Sequence, residues 1–536
     1  MKKYFDKEHQ WVLIFSLFFL LILSIPYISG YFSQTADLKF SGFIFGVEDG
    51  NSYIAKMLSG ANGAWLFKSP YTPFEQNGFL AFFPYILLGK LTSAPGQHEQ
   101  LVSIFHIYRI LGGMLCCLAI YDFIALFLKE EKSRRIALLL IVAGGGVGWM
   151  GVFGLKFQGY NGLPLEFYSP EAFGFLSFLG IPHLLVARAL LLWGMTAYFK
   201  NPDRTYLWGL KNGLFWFILG FFQPLTIVIG WAILGIFLLV KNILLSIRNK
   251  IQFFRIAKQD IAYYLGVITS SSVFVLYTVI SFEIDPFLNG WQAQNIILSP
   301  PPIDFLLAYG LLLIIGFWGL KNYIKVDSEK ATFLIVWIVF GLLFAYFPYN
   351  LQRRLTEGVW VVIVVSALLL YDNKKAIRKR FLFVIVPSLL SSLILFVGGL
   401  GVISDQQTSV FNFENNIQLF QKIDAEEKYP VVLASHASGN VIPAYAAVRV
   451  VVGHGPESIQ ADVLEPAVEK FFQGDVDENW RIGFIKKYHV RYVFWSDEER
   501  KLGDWNPLQS RLFEKIYQSG DSYLLKVDQM VIGDDG

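Results

Sequence analysis

Charge is what this chain has least of. Only 16% of its 536 residues are Asp, Glu, Lys or Arg, against about 25% in an ordinary soluble domain. The deficit is uneven. From Met1 to about Ile403, apolar runs of membrane-crossing length, about 20 residues each, alternate with short polar breaks, whereas 404–536 has the composition of a soluble domain. Cysteine is nearly absent: Cys116 and Cys117 are adjacent within one apolar run, which excludes a disulfide framework. A surplus of one charge sign is missing as well. The net charge of +3 sits between the apolar runs, so no nucleic-acid partner is expected. Internal repeats and low-complexity linkers are also lacking, although transporters often carry such repeats.

What is present is a series of apolar runs. Segments 11–30, 101–128, 136–153, 181–199, 207–221, 223–240, 261–282, 304–320, 331–348, 356–371 and 381–403 read as about eleven transmembrane helices. Lys2, Lys3 and Lys7 before the first run imitate a signal peptide. The run is long and no small-x-small cleavage site follows it, so it is kept as the first span. Residues 79–92, with Pro84 and Gly89, are too short to cross and are read as interfacial. Segments then assigned to the cytoplasm hold 22 Lys and Arg in 63 residues, and those assigned outside hold 7 in 125. By the positive-inside rule the N-terminus is cytoplasmic and the tail extracytoplasmic. The expected fold class is mainly α: a polytopic membrane domain over 1–403 with a large first outer loop at 31–100, and a small extracytoplasmic α/β domain over 404–536. In that tail, 430–434, 448–452 and 490–495 read as strands, and 462–472 and 480–488 as helices.

Polar groups in a membrane body are expensive, so they mark candidate sites. Glu48 and Asp49, between Gly46 and Gly50 in the first outer loop, could act as a general base or form a solvated turn. Arg353 and Arg354 in PYNLQRRLTEG (348–358) are the basic residues of an outer loop, suited to phosphate or to anionic lipid. Arg109, Arg188, His183 and Lys56 are supporting candidates. Arg109 is placed to snorkel to the interface, and each intramembrane Arg is expected to pair with a carboxylate. Segment 282–302 reads as an irregular loop. Glycines 144 and 148 read as a helix-packing face within a span. His436, His454 and Glu457 in the tail are candidates for surface chemistry, but they fit no zinc spacing and the structural reading is favoured. No metal-ligand set is assigned.

An acidic residue in a large loop after the first span, the interfacial P-Y-x-x-x-G (PYILLG, 84–89), an Arg early in the second span and a late outer Arg pair together resemble the GT-C superfamily of integral-membrane glycosyltransferases. That group includes protein O-mannosyltransferases and lipid A aminoarabinose transferases. The K-P-P sequence that often precedes the interfacial helix is replaced here by NGFLAFFP (77–84). The resemblance implies a polyprenyl-phosphate sugar donor held among membrane lipids and transfer to a lipid, glycan or protein acceptor on the outer face. It implies Asp49 as base assisted by Glu48, Arg353 or Arg354 on the donor phosphate, and inversion at the sugar in a bacterial or archaeal cell membrane. No cofactor is implied for certain, and assistance by a divalent cation is left open. The competing readings are a transporter or flippase, and a non-catalytic assembly protein of the cell envelope.

Overall fold

In a computed structural model of the chain, residues 6–201, 203–250, 252–373, 378–423, 429–528 and 530 are described. Lys2, Lys3, Lys374 and Lys375, which carry part of the charge asymmetry, lie outside them. The chain is mainly helical and forms two compact units, each assembled from separate stretches of sequence. One comprises Met1–Ile25, Ile107–Ile280 and Ile296–Gly399, and the other Pro26–His106, Ser281–Asn295 and Leu400–Gly536.

Among the described residues, seven helices are long and apolar enough to cross a membrane: Lys7–Phe32, Gln97–Ile124, Pro224–Asn249, Ala257–Ile284, Pro302–Tyr323, Gln352–Asp372 and Leu382–Ser404. The chain is an integral membrane protein. Shorter helices at Glu131–Ala143, Pro182–Lys200, Tyr206–Leu219 and Ser328–Phe344 occupy the other four predicted segments.

In the first unit, burial separates a central helix from peripheral ones. The apolar window of Gln352–Asp372 is 89% buried, that of Ala257–Ile284 only 22%. Val273, Leu276, Val279 and Ile280 are exposed on the latter, the surface that hydrocarbon would cover. Pro302–Tyr323 packs closely on the central helix; a Cβ on Gly319 would lie 2.1 Å from the Ser366 carbonyl oxygen. The span expected over 136–153 stops at Ala143. Gly144 is extended (φ −86°, ψ 156°) and a 3-10 turn follows over Gly148–Phe153. Glycines 144 and 148 are therefore not a helix face. The physical reason is close approach of main chain: a Cβ on Gly146 would meet the Ala308 carbonyl oxygen at 2.3 Å.

The second unit joins the first loop to the tail. Strand β1 (Leu38–Phe40) pairs antiparallel with β2 (Phe411–Phe413). In the tail, β3 (Val431–Leu433), β4 (Arg449–Val450), β5 (Val490–Trp495), β6 (Phe513–Ser519) and β7 (Ser522–Val527) form one sheet in the order β4-β3-β5-β7-β6. Pairings β3–β4 and β3–β5 are parallel, and β5–β7 and β6–β7 antiparallel. The three expected strands and the helices Ala461–Phe471 and Glu478–Lys487 are found. Helix His436–Tyr445 and the β6–β7 hairpin were not anticipated. Segment 282–302 is not wholly irregular: Asp285 caps helix Pro286–Gln294 by accepting from the Phe287 and Leu288 N–H groups, with Pro286 at the first helical position.

Candidate functional site

The acidic pair owes its position to one glycine. Gly46 takes the left-handed conformation (φ 59°, ψ 46°) and opens helix Val47–Ala61, a backbone that a residue with a Cβ adopts only at a cost. Glu48 and Asp49 fall in the first turn, where unpaired N–H groups and the helix dipole favour negative charge. The same helix is clamped by helix Phe83–Gly89. A Cβ on Gly89 would lie 1.7 Å from the Met57 carbonyl oxygen and one on Gly60 1.9 Å from that of Ile86, so the two backbones touch.

Residues 3 and 4 apart share a helix face, and Asp49, Ser52 and Lys56 make one such stripe. A tail loop, 453–458, reads it. His454 Nε2 lies 3.3 Å from Asp49 Oδ1. Glu457 Oε1 accepts from Lys56 Nζ at 2.6 Å and from Ser52 Oγ at 3.0 Å, and Lys56 also donates to Ser52. Ser69 Oγ adds a 3.4 Å contact to Glu457 Oε2. Lys56 and Glu457 are both buried, and the ammonium sits 4.2 Å from the Phe82 ring centroid. The loop is further stapled by Gln294, whose side chain donates to the Pro456 and Ser458 carbonyls at 2.8 and 2.9 Å.

Glu48 makes a different set of contacts. Its Oε1 accepts from Gly455 N–H at 2.7 Å and lies 3.4 Å from His436 Nε2. The other His436 ring nitrogen is 2.8 Å from Glu465. Asn440 donates to the Glu48 carbonyl at 3.3 Å and accepts from Asn51 at 2.8 Å. Burial alone would raise the Glu48 pKa; hydrogen bonds from His436 and the Gly455 N–H, with the nearby histidine charges, bring it below the ordinary carboxylate value. His436 is raised, chiefly by its hydrogen bond to Glu48. His454 is lowered by burial but raised overall by Glu457 and Asp49. For Glu457, burial is outweighed by Lys56 and the pKa falls. The two site carboxylates remain half-exposed, 48% for Glu48 and 58% for Asp49. Each carboxylate faces a different histidine, and among the described residues no three ligating side chains converge as a metal would need.

The other predicted residues belong to the membrane unit. Arg188 is buried in a two-pronged pair with Glu357, at 2.5 and 3.1 Å, and donates to the Pro170 and Glu171 carbonyls. Arg354 Nε lies 3.2 Å from Glu171, so Glu171 is shared by both arginines. Arg353 lies 4.8 Å from the Tyr168 ring centroid, and its buried Nε has no hydrogen-bond partner among the described residues. Arg109 does not snorkel. It is 1% exposed and donates to Ser24 Oγ at 2.6 Å and to the Phe178 carbonyl at 3.1 Å, because a buried guanidinium needs acceptors close by. His183 is the half-buried second residue of helix Pro182–Lys200.

Sequence reasoning named His436, His454 and Glu457 as candidates for surface chemistry and favoured structural roles. Their partners lie about 400 positions earlier, and no local spacing marks such a pairing.

No protein-family model matches the chain, and no curated protein matches it in sequence. Solved structures do. ArnT from Cupriavidus metallidurans in the apo state superposes with a TM-score of 0.51 at 11% identity, over 97% of this chain and 99% of that one. The apo oligosaccharyltransferase of Archaeoglobus fulgidus gives 0.51 at 13% identity, over 92% and 70%. The same enzyme tethered to an acceptor peptide with the NVT sequon gives 0.50 at 13% identity, over 92% and 70%. At these identities the likeness is one of fold.

Proposed function

We propose that this chain is a membrane glycosyltransferase that moves a sugar from a polyprenyl-phosphate carrier to an acceptor at the outer face of the membrane, with Asp49 as general base. The observation that carries the reading is the contrast along one helix. Lys56 and Glu457 close off one end of the stripe, while Asp49 keeps 58% of its surface open. A carboxylate left open in a constructed setting is what proton abstraction from an acceptor requires. The GT-C fold and the sequence motifs agree with it.

In the proposed step an acceptor O–H or N–H attacks the anomeric carbon. The bond from that carbon to the phosphate oxygen breaks as the new one forms, and the lipid phosphate departs with the electron pair. The acceptor proton passes to the Asp49 carboxylate and from there to water. Attack opposite the leaving group inverts the anomeric centre. Glu48, held ionised by the Gly455 N–H and His436, keeps the turn electronegative toward a cationic or hydroxylic acceptor. Arg353 and Arg354 are assigned to the phosphate, where guanidinium groups stabilise the charge that develops. The unsatisfied Arg353 Nε suits that role.

The test is transfer by protein purified into phospholipid nanodiscs and supplied with a panel of radiolabelled polyprenyl-phosphate sugars. Asp49→Asn is expected to lose about 10²- to 10⁴-fold in kcat, and its melting temperature to stay put because the side chain is half-exposed. An Asp49→Asn protein that transfers sugar at the wild-type rate removes Asp49 from this role.

A further inference from the structure

We propose that His454, delivered by the tail, is the positioning residue for Asp49, so that the acidic site is incomplete until loop 453–458 is seated. The inference rests on the reading of Asp49 as base, and it adds a function for the tail.

The geometry has three linked parts. First, the ring is fixed before it meets the carboxylate. His454 N–H and Gly453 N–H both donate to Ser458 Oγ, at 3.1 and 3.0 Å, and Ser458 N–H returns a 2.8 Å bond to the His454 carbonyl. The ring lies 5.3 Å from that of Tyr71 and is 6% exposed. Second, the loop has a single register on the helix. His454 and Glu457 are three residues apart and meet Asp49 and Lys56, which are seven apart on the same stripe. Seating Glu457 in its buried cage therefore sets where the imidazole arrives. Third, the ring has one outlet. His454 Nδ1 is buried with no hydrogen-bond partner among the described residues, which leaves Nε2 and Asp49 Oδ1 as the polar contact the ring makes.

An aspartate side chain has several staggered rotamers. One Nε2–H donated to Oδ1 selects among them, and a misplacement of about 1 Å at a reacting group costs up to about 100-fold. The charged and titratable groups around the imidazole are Asp49, Glu457, Lys56 and Glu48, with the Tyr71 ring against it.

Two measurements on the full chain in nanodiscs test this. The first needs no substrate. With isotope-labelled histidine, the His454 resonance is assigned by its loss in His454→Gln, and its titration is followed by NMR in wild type and in Asp49→Asn. A midpoint that falls in Asp49→Asn supports contact. One that does not move overturns the proposal, whatever the activity. The second is kinetic. His454→Leu is expected to lose about 10- to 100-fold in kcat with the KM for the polyprenyl-phosphate sugar unchanged. His454→Gln, whose amide N–H can reach where Nε2 was, is expected to recover most of that loss. Equal losses in both variants, or none in His454→Leu, would also overturn it. If Asp49→Asn is dead while His454→Leu is wild type, the base assignment survives and only this inference fails. If Asp49→Asn is active, the base assignment is what has failed.

Discussion

Inside the membrane unit, several buried charges are met by an opposite charge. In the loop-and-tail unit one helix carries a buried ion pair at one end and two half-exposed carboxylates at the other. Arg188 meets Glu357 with both buried, and Arg204, Lys241, Asp260 and Glu329 form a mutually paired cluster. Such pairing offsets the several kcal/mol that a lone charge costs in a low-dielectric interior, and buried Arg109, Glu166 and Asp304 are met by hydroxyl, carbonyl or N–H groups. On helix Val47–Ala61 the Lys56–Glu457 pair obeys the same rule. Two turns earlier Glu48 and Asp49 are half-exposed, with histidine partners at 3.4 and 3.3 Å. Loose contacts around an open carboxylate are what a site that must exchange protons needs. The comparison thus separates charges kept for stability from charges kept available.

The largest effect should come from breaking a cancelled pair inside the membrane unit. Glu357→Ala leaves the Arg188 guanidinium buried opposite nothing, although Pro170 and Glu171 still offer carbonyls. A destabilisation of about 3–5 kcal/mol follows, read as a large drop in melting temperature in detergent. The charge-free double variant Arg188→Met/Glu357→Leu should recover most of it, because two apolar side chains of similar size cost little there. If Glu357→Ala melts like wild type, burial does not enforce pairing in this unit and the contrast loses one side.

How much of this was legible beforehand depended on how far apart the partners lie in the chain. The spans were readable because 20-residue apolar runs are local signals. The acidic pair between two glycines was visible in G-V-E-D-G, but not that Gly46 is left-handed and opens a helix there. The seat of Arg109 on Ser24 and Phe178 could not be read from an isolated arginine in an apolar run. Nor could the end of the helix at Ala143, since the A-G-G-G that follows suits helix packing and irregular close approach alike. The contacts of the two tail histidines were the least legible. Neither His436 nor His454 has a metal-like neighbour in sequence, and what gives each a role is a carboxylate brought to it by the parallel strands that set the tail's loops against the first-loop helix.

A smaller effect is expected from the pair that anchors the tail. In Lys56→Met, Glu457 loses its cation but keeps the Ser52 and Ser69 hydroxyls. The cost is about 3 kcal/mol, at the low end for a broken buried pair. Glu457 would be pushed toward its protonated form. Limited proteolysis is the sharper readout: cleavage in 453–460 should accelerate if the clamp seats this loop. Unchanged cleavage with lowered stability would mean that the pair supports the helix and not the loop.

The smallest effect concerns pH. His436 has its pKa raised in the folded chain, first by the hydrogen bond to Glu48, against the ordinary value of 6.5. The folded chain therefore holds this proton more tightly than the unfolded one. The contribution is complete below about pH 6.5 and is lost as the pH rises through the folded value. Glu48 behaves oppositely: its lowered pKa stabilises the fold above its ordinary 4.5, and that part is lost as the pH falls through the folded value. Because His436 is partly exposed, solvent screens most of its share. The melting temperature of wild type should decline slightly between about pH 6.5 and pH 8.5, with His454 contributing in the same direction. His436→Gln should flatten the decline, and the remaining slope belongs to His454, raised first by Glu457 and then by Asp49. Parallel curves for wild type and His436→Gln would place the Glu48–His436 contact outside the energetics of the folded site and leave Gly455 as the group that holds Glu48.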